Sequence, residues 1–105
     1  MATARLQIPR KVRVGARQYS IEIVEAMLEK KRMGAINYPQ QTIRLGLRSN
    51  TTNKKYPVSD VHETFWHELT HAILHDMGRD TLNKDERFVT EFSHRLHKAI
   101  KSARF

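Results

Sequence analysis

The sequence predicts an α+β domain in which a small antiparallel β-sheet is followed by two helices. Three observations carry that expectation. Apolar and polar residues alternate through the first half, Gly and Pro punctuate that half at short intervals, and from residue 59 onward apolar residues recur every three or four positions. At 105 residues the chain can build one core but not two, so residues 1–105 read as a single compact domain, mainly β over 1–56 and mainly α over 59–104.

The elements follow in order. Leu6, Ile8, Val12 and Val14 lead into the turn signal Gly15-Ala16-Arg17, after which Tyr19, Ile21 and Ile23 alternate with polar residues. Ala26 to Arg32 reads as either a short helix or an irregular crossover. Gly34 restarts an extended pattern through Tyr38, Pro39-Gln40-Gln41 makes a turn, and Thr42 to Leu45 forms the next strand. Together these give a twisted antiparallel sheet of three or four strands, followed by a polar loop over 49–56.

Asp60 with Glu63 three residues later has capping-box spacing, which starts a helix near Val61. Gly78 after Met77 ends it with a left-handed residue. On the helical wheel Val61, Phe65, Leu69, Ala72 and Ile73 share one side, and His67 and His71 point away from it. A second helix runs from near Asn83 to about Ala103, with Val89, Phe92, Leu96, Ala99 and Ile100 as its apolar stripe. Asn83 and Glu86 make a second capping-box pair at its start.

His67-Glu68-Leu69-Thr70-His71 is the run that carries chemistry. Two imidazoles four residues apart on a helix lie on one face, roughly 5–6 Å apart at Cβ, and can converge on one tetrahedral ion. Glu68 beside them reaches a water near the ion without itself being a ligand, which suits a general base of zinc-assisted peptide hydrolysis. A third ligand has to come from elsewhere in the chain. Glu86 lies at the edge of the second helix's stripe and looks into the space between the helices; Asp85 ranks second because its shorter arm demands closer helices. His75 continues the histidine row one turn on, where contact with substrate or support of a ligand suits it better than ligation. His62, His94 and His97 show no evident partner, although all six histidines fall between 62 and 97, so a three-histidine site stays open. Tyr38, His75 and an arginine are the candidate donors to a developing oxyanion.

Composition narrows the setting. No cysteine is present, which excludes disulfides and thiolate metal sites and fits a cytoplasmic protein. No apolar run approaches membrane-spanning length, and the amino terminus shows no apolar core of a secretion signal. The net charge of +8 is lopsided: residues 1–55 hold twelve Lys and Arg against three acids, and residues 56–105 hold seven against eight. Clusters at Arg10-Lys11-Val12-Arg13, Lys30-Lys31-Arg32 and Lys54-Lys55 would attract DNA, RNA or an acidic protein, which makes a basic binding module with little or no proteolysis the competing expectation.

The run His67-Glu68-Leu69-Thr70-His71-Ala72 resembles the active-site helix of thermolysin-like zincins, and the chain as a whole looks more like the short ImmA/IrrE-type metallopeptidases of phage and bacterial genomes. The resemblance covers residues 59–97; over 1–56 only a strand pattern, including the Gly34 to Leu45 hairpin, is shared. It implies a minimal zincin-like fold, a bound zinc ion, and cleavage of a regulatory protein in the cytoplasm. Glu86, in Asp85-Glu86-Arg87-Phe88-Val89, best matches the glutamate that such families supply as third ligand. A similarity to SprT-like proteases, which act on DNA-bound proteins, is weaker because their third ligand is usually histidine.

Overall fold

The computed structural model describes residues 7–29 and 32–104; the expectations for Leu6 and for the Lys30-Lys31 pair lie outside the described residues. It is an α+β fold with β1 (Lys11–Val14), β2 (Arg17–Val24), β3 (Gly34–Asn37), β4 (Thr42–Gly46), α1 (Val58–Asp76), α2 (Asp80–Asn83) and α3 (Glu86–Ser102).

The expected antiparallel sheet is instead mixed. Its order is β1-β2-β4-β3, with β1·β2 and β3·β4 antiparallel and β2·β4 parallel. Gly15, at φ +62°, closes the first hairpin, where any side chain would collide with the Asp76 carboxylate. After β2 the described part of the crossover runs through bends at Glu25–Glu29, with no helix among its described residues, and β3 lies at the sheet edge. The hairpin through Tyr38–Gln41 then returns β4 into the gap beside β2, so β2 and β4 run the same way. Alternation of side chains marks which residues are strands but not which strands are neighbours. That is why the parallel pair escaped the sequence.

One face of this sheet packs against α1. Val14, Tyr19, Ile43 and Leu45 from the strands meet Val61, Phe65, Leu69 and Ala72 from the helix in the core. Each large side chain buried there contributes roughly 1.5–3 kcal/mol. Gly34 sets how closely the edge strand approaches: a Cβ at this position would lie 2.6 Å from Thr64 Cγ2 and 3.0 Å from the Arg44 carbonyl oxygen. The contact brings β3 alongside α1.

Both helix starts differ from expectation. α1 begins at Val58 behind Pro57, so Asp60 sits in the first turn, where it complements the helix dipole rather than capping with Glu63. Its end is as expected: Gly78 is left-handed at φ +71°, and the amides of Gly78 and Arg79 return to the carbonyls of His75 and Leu74. A separate short helix, α2, then precedes α3. The α3 cap is Asp85, which accepts from the Phe88 amide at 3.1 Å; Asn83 is therefore free for other work.

The buried face of α3 is also rotated from the predicted stripe. Val89, Ser93 and His97 face inward, whereas Phe92, Ala99 and Ile100 are exposed. Ile73 of α1, expected in the core, is likewise exposed, and Leu74 is buried in its stead. Polar Ser93 and His97 are accepted inside because each has a partner: Ser93 Oγ donates to the Thr90 carbonyl, and His97 Nδ1 pairs with Glu63.

Candidate metal centre

α1 carries His67, Glu68 and His71 on the side facing α3 and the edge strand, and the first turn of α3 brings Glu86 to them. His67 Nε2 lies 3.2 Å from Glu86 Oε1, and His71 Nε2 lies 3.0 Å from Glu86 Oε2. One ligand atom from each of His67, His71 and Glu86 falls within 4.8 Å of the others, and among the described residues this trio is the one group of three close enough to share a metal ion. Asp85 is not part of it, because its carboxylate is spent on the α3 cap. His75 is not part of it either: its ring stacks on Tyr38, centroids 4.0 Å apart and planes 19° from parallel.

The hydrogen bonds behind the trio decide which nitrogen faces forward. Asn83 Oδ1 accepts from His71 Nδ1 at 2.7 Å, while Asn83 Nδ2 donates to the Tyr38 hydroxyl at 3.0 Å. With Nδ1 carrying the proton, neutral His71 presents a lone pair on Nε2 toward an anionic oxygen only 3.0 Å away. Two such electron-rich atoms are stable at that distance only with a proton or a cation between them. The donor set of two imidazole nitrogens and one carboxylate could hold a divalent ion such as zinc. Asn83 stands where it would orient His71 as a ligand. In the sequence it looked like a cap; the signal available was its place three residues before Glu86, one turn away.

Electrostatics within the site are uneven. Burial, with the Glu86 charge adding to it, pushes the Glu68 carboxyl up to about 7 against the pull of His71 and Arg32. Burial and the neighbouring His71 charge lower the basicity of His67, more than Glu86 restores it. That favours the neutral, metal-ligating form. Burial raises the Tyr38 hydroxyl above its ordinary range despite the Asn83 hydrogen bond, so it stays protonated at neutral pH.

The group opens into a cleft of about 1010 Å³ lined by Gly34, Ile36 and Tyr38 of the edge-strand hairpin and by the histidine face of α1. That volume is at the upper end for ligand sites. No family model, curated protein or solved structure matches the chain. The assignment of function therefore rests on the geometry of these residues.

The remaining histidines gather separately. Glu63 of α1 pairs with His94 Nδ1 at 2.8 Å and His97 Nδ1 at 3.3 Å, and His62 meets the His97 ring edge-on. This cluster ties α1 to α3 one turn from the trio. The sequence showed no partner for His94 and His97 because Glu63 lies about thirty residues away and was read as part of a cap. Among the described residues, no helix is long and apolar enough to cross a membrane.

Proposed function

We propose that the protein is a zinc-dependent metallopeptidase of minimal zincin type, cleaving an extended segment of a cytoplasmic protein. The observation that carries this reading is the convergence of His67 Nε2, His71 Nε2 and the Glu86 carboxylate beside a buried Glu68 of raised pKa. A purely structural metal site has no use for such a carboxyl.

Zinc, when bound, brings Lewis acidity toward the scissile carbonyl and toward water. The chain's own residues do the rest. Glu68 accepts a proton from water as the water oxygen bonds to the carbonyl carbon, then returns it to the amine nitrogen as the C–N bond breaks. Glu68, buried beside the two imidazoles, is placed to make both transfers. Tyr38, whose oxygen is already engaged by Asn83, keeps its own proton to donate to the developing oxyanion. β3 is an edge strand bordering the cleft, so its free main-chain groups hold an extended peptide by strand addition.

The test is metal content and turnover in one set of proteins. The purified chain should carry about one zinc per molecule, the stoichiometry one such ligand set requires. Glu68→Gln should keep that zinc yet lose hydrolysis of quenched fluorescent peptides by roughly 10²–10⁴-fold. His71→Ala should lose both. Unchanged turnover in Glu68→Gln, or a wild-type chain that takes up no zinc, removes the proposal.

A further inference from the structure

We propose that α3 is a homodimer interface, its partly exposed apolar stripe packing antiparallel against the same stripe of a second copy of this chain. The association does not depend on whether the cleft holds a metal, and it concerns the opposite flank of the molecule.

Phe88, Phe92, Leu96 and Ile100 recur every fourth residue and form one continuous stripe along α3. Phe92 and Ile100 are each 46% exposed, Phe88 and Leu96 are half-buried, and the Phe88 and Phe92 rings stack at 5.7 Å with planes 19° apart, which orders them in advance. α1 and α3 run antiparallel, since Glu63 meets His94 and His97 while His67 and His71 meet Glu86. At about 100° per residue, Phe92 projects roughly 160° from His94, away from the Glu63 side. Ile73 of α1 and Met77 at its C-cap, both exposed and one turn apart, project to that same back flank by the same count. An apolar surface spanning two helices is the kind that association covers.

The spacing and the charges both specify a second copy. The stripe is symmetric about residue 94. Antiparallel pairing about that point sets Phe88 opposite Ile100 of the second copy and Phe92 opposite its Leu96, so every large side chain finds an apolar partner. The charges of the helix are polarised along it: residues 85–91 hold Asp85, Glu86 and Glu91 against Arg87, whereas residues 95–104 hold Arg95, Lys98, Lys101 and Arg104 with no acid. The antiparallel arrangement brings acidic end to basic end, opposes the helix dipoles favourably, and closes with two-fold symmetry. Parallel pairing would stack the four cations on four cations. Glu91 and Arg95, on the outer rim of the stripe, then face Arg95 and Glu91 of the other copy.

The absence of cysteine makes the register directly measurable. Sedimentation of the full chain across a concentration series should show conversion to twice the monomer mass. Phe92→Glu should weaken the association at least about tenfold, a change of about 1.4 kcal/mol, with an unaltered circular dichroism spectrum. In mild oxidant, a mixture of Phe88→Cys and Ile100→Cys chains should form a mixed disulfide. Phe88→Cys alone should not cross-link, because two copies of residue 88 would lie about 18 Å apart along the helix axes. A wild-type chain that stays monomeric throughout overturns the proposal, as does cross-linking of Phe88→Cys alone at the rate of the mixture. Binding of a persistently monomeric chain to phosphatidylserine vesicles would assign the basic, apolar helix to an anionic membrane surface instead.

Discussion

Asn83 holds His71 through a 2.7 Å hydrogen bond to Nδ1, and through its other amide atom holds Tyr38. One side chain thereby fixes the forward nitrogen of the proposed metal ligand and the hydroxyl on the far wall of the cleft. The two ends of that link come from α1 and from the edge-strand hairpin, 45 residues of sequence apart from Asn83 in the longer case.

Asn83→Ala leaves all three ligands in place but frees the His71 ring to rotate and to exchange its proton between nitrogens. Zinc affinity is expected to fall about 10–100-fold, the usual consequence of losing a partner behind a ligating histidine. Competition against a chromophoric chelator measures it. Affinity equal to that of the wild type would show that His71 is oriented without Asn83.

Glu68 supplies a pH dependence of the metal-free protein. Its pKa rises from an ordinary 4.5 to about 7 on folding, so between those values the native state holds more proton than the unfolded chain. Stability from this group is therefore lost as pH rises through that window, by about 3 kcal/mol in all. In chelator-treated protein, Glu68→Gln should be more stable than wild type above pH 7, with the advantage vanishing below about pH 4.5. Urea denaturation at several pH values reads the difference. Parallel curves for the two proteins would contradict the burial assigned to this carboxyl.

Glu63 has the opposite sign. Burial pulls its pKa up, but hydrogen bonds and charge from His94 and His97 outweigh that and hold it below 4.5. The stabilisation is present above pH 4.5 and is lost as pH falls through the lowered folded value. Glu63→Gln should thus unfold at lower temperature than wild type at neutral pH and match it in strong acid. Because this pair of contacts joins α1 to α3, the variant should also bind zinc more weakly through a less well placed Glu86. Thermal melts across pH, alongside the zinc titration, test both consequences.

Much of the site was legible from local periodicity alone. A helix places residues 67, 68 and 71 by its own geometry, and the apolar residues Val61, Phe65, Leu69 and Ala72 fix which way it turns toward the sheet. Less of α3 was legible. Its expected stripe of Val89, Phe92, Leu96, Ala99 and Ile100 is a good amphipathic pattern, yet only Val89 of these is buried, and Ser93 and His97 complete the inward face. A single helix cannot reveal that Glu63 on another helix makes a buried histidine acceptable, or that apolar residues are left outside.

The sequence by itself determined the strand segments and the two long helices, the end of α1 at Gly78 and the shared face of His67, Glu68 and His71, since each depends on neighbours within a few residues; the helix starts and the short α2 it did not. Only the tertiary structure decided that Glu86, and not Asp85, meets the two imidazoles, that Asn83 stands behind one of them, and that β4 lies between β2 and β3. Adjacent helical residues point about 100° apart, so the rotation of α3 against α1 selects one carboxylate and rejects the next. That rotation is set by contacts distant in the chain, which no local pattern records.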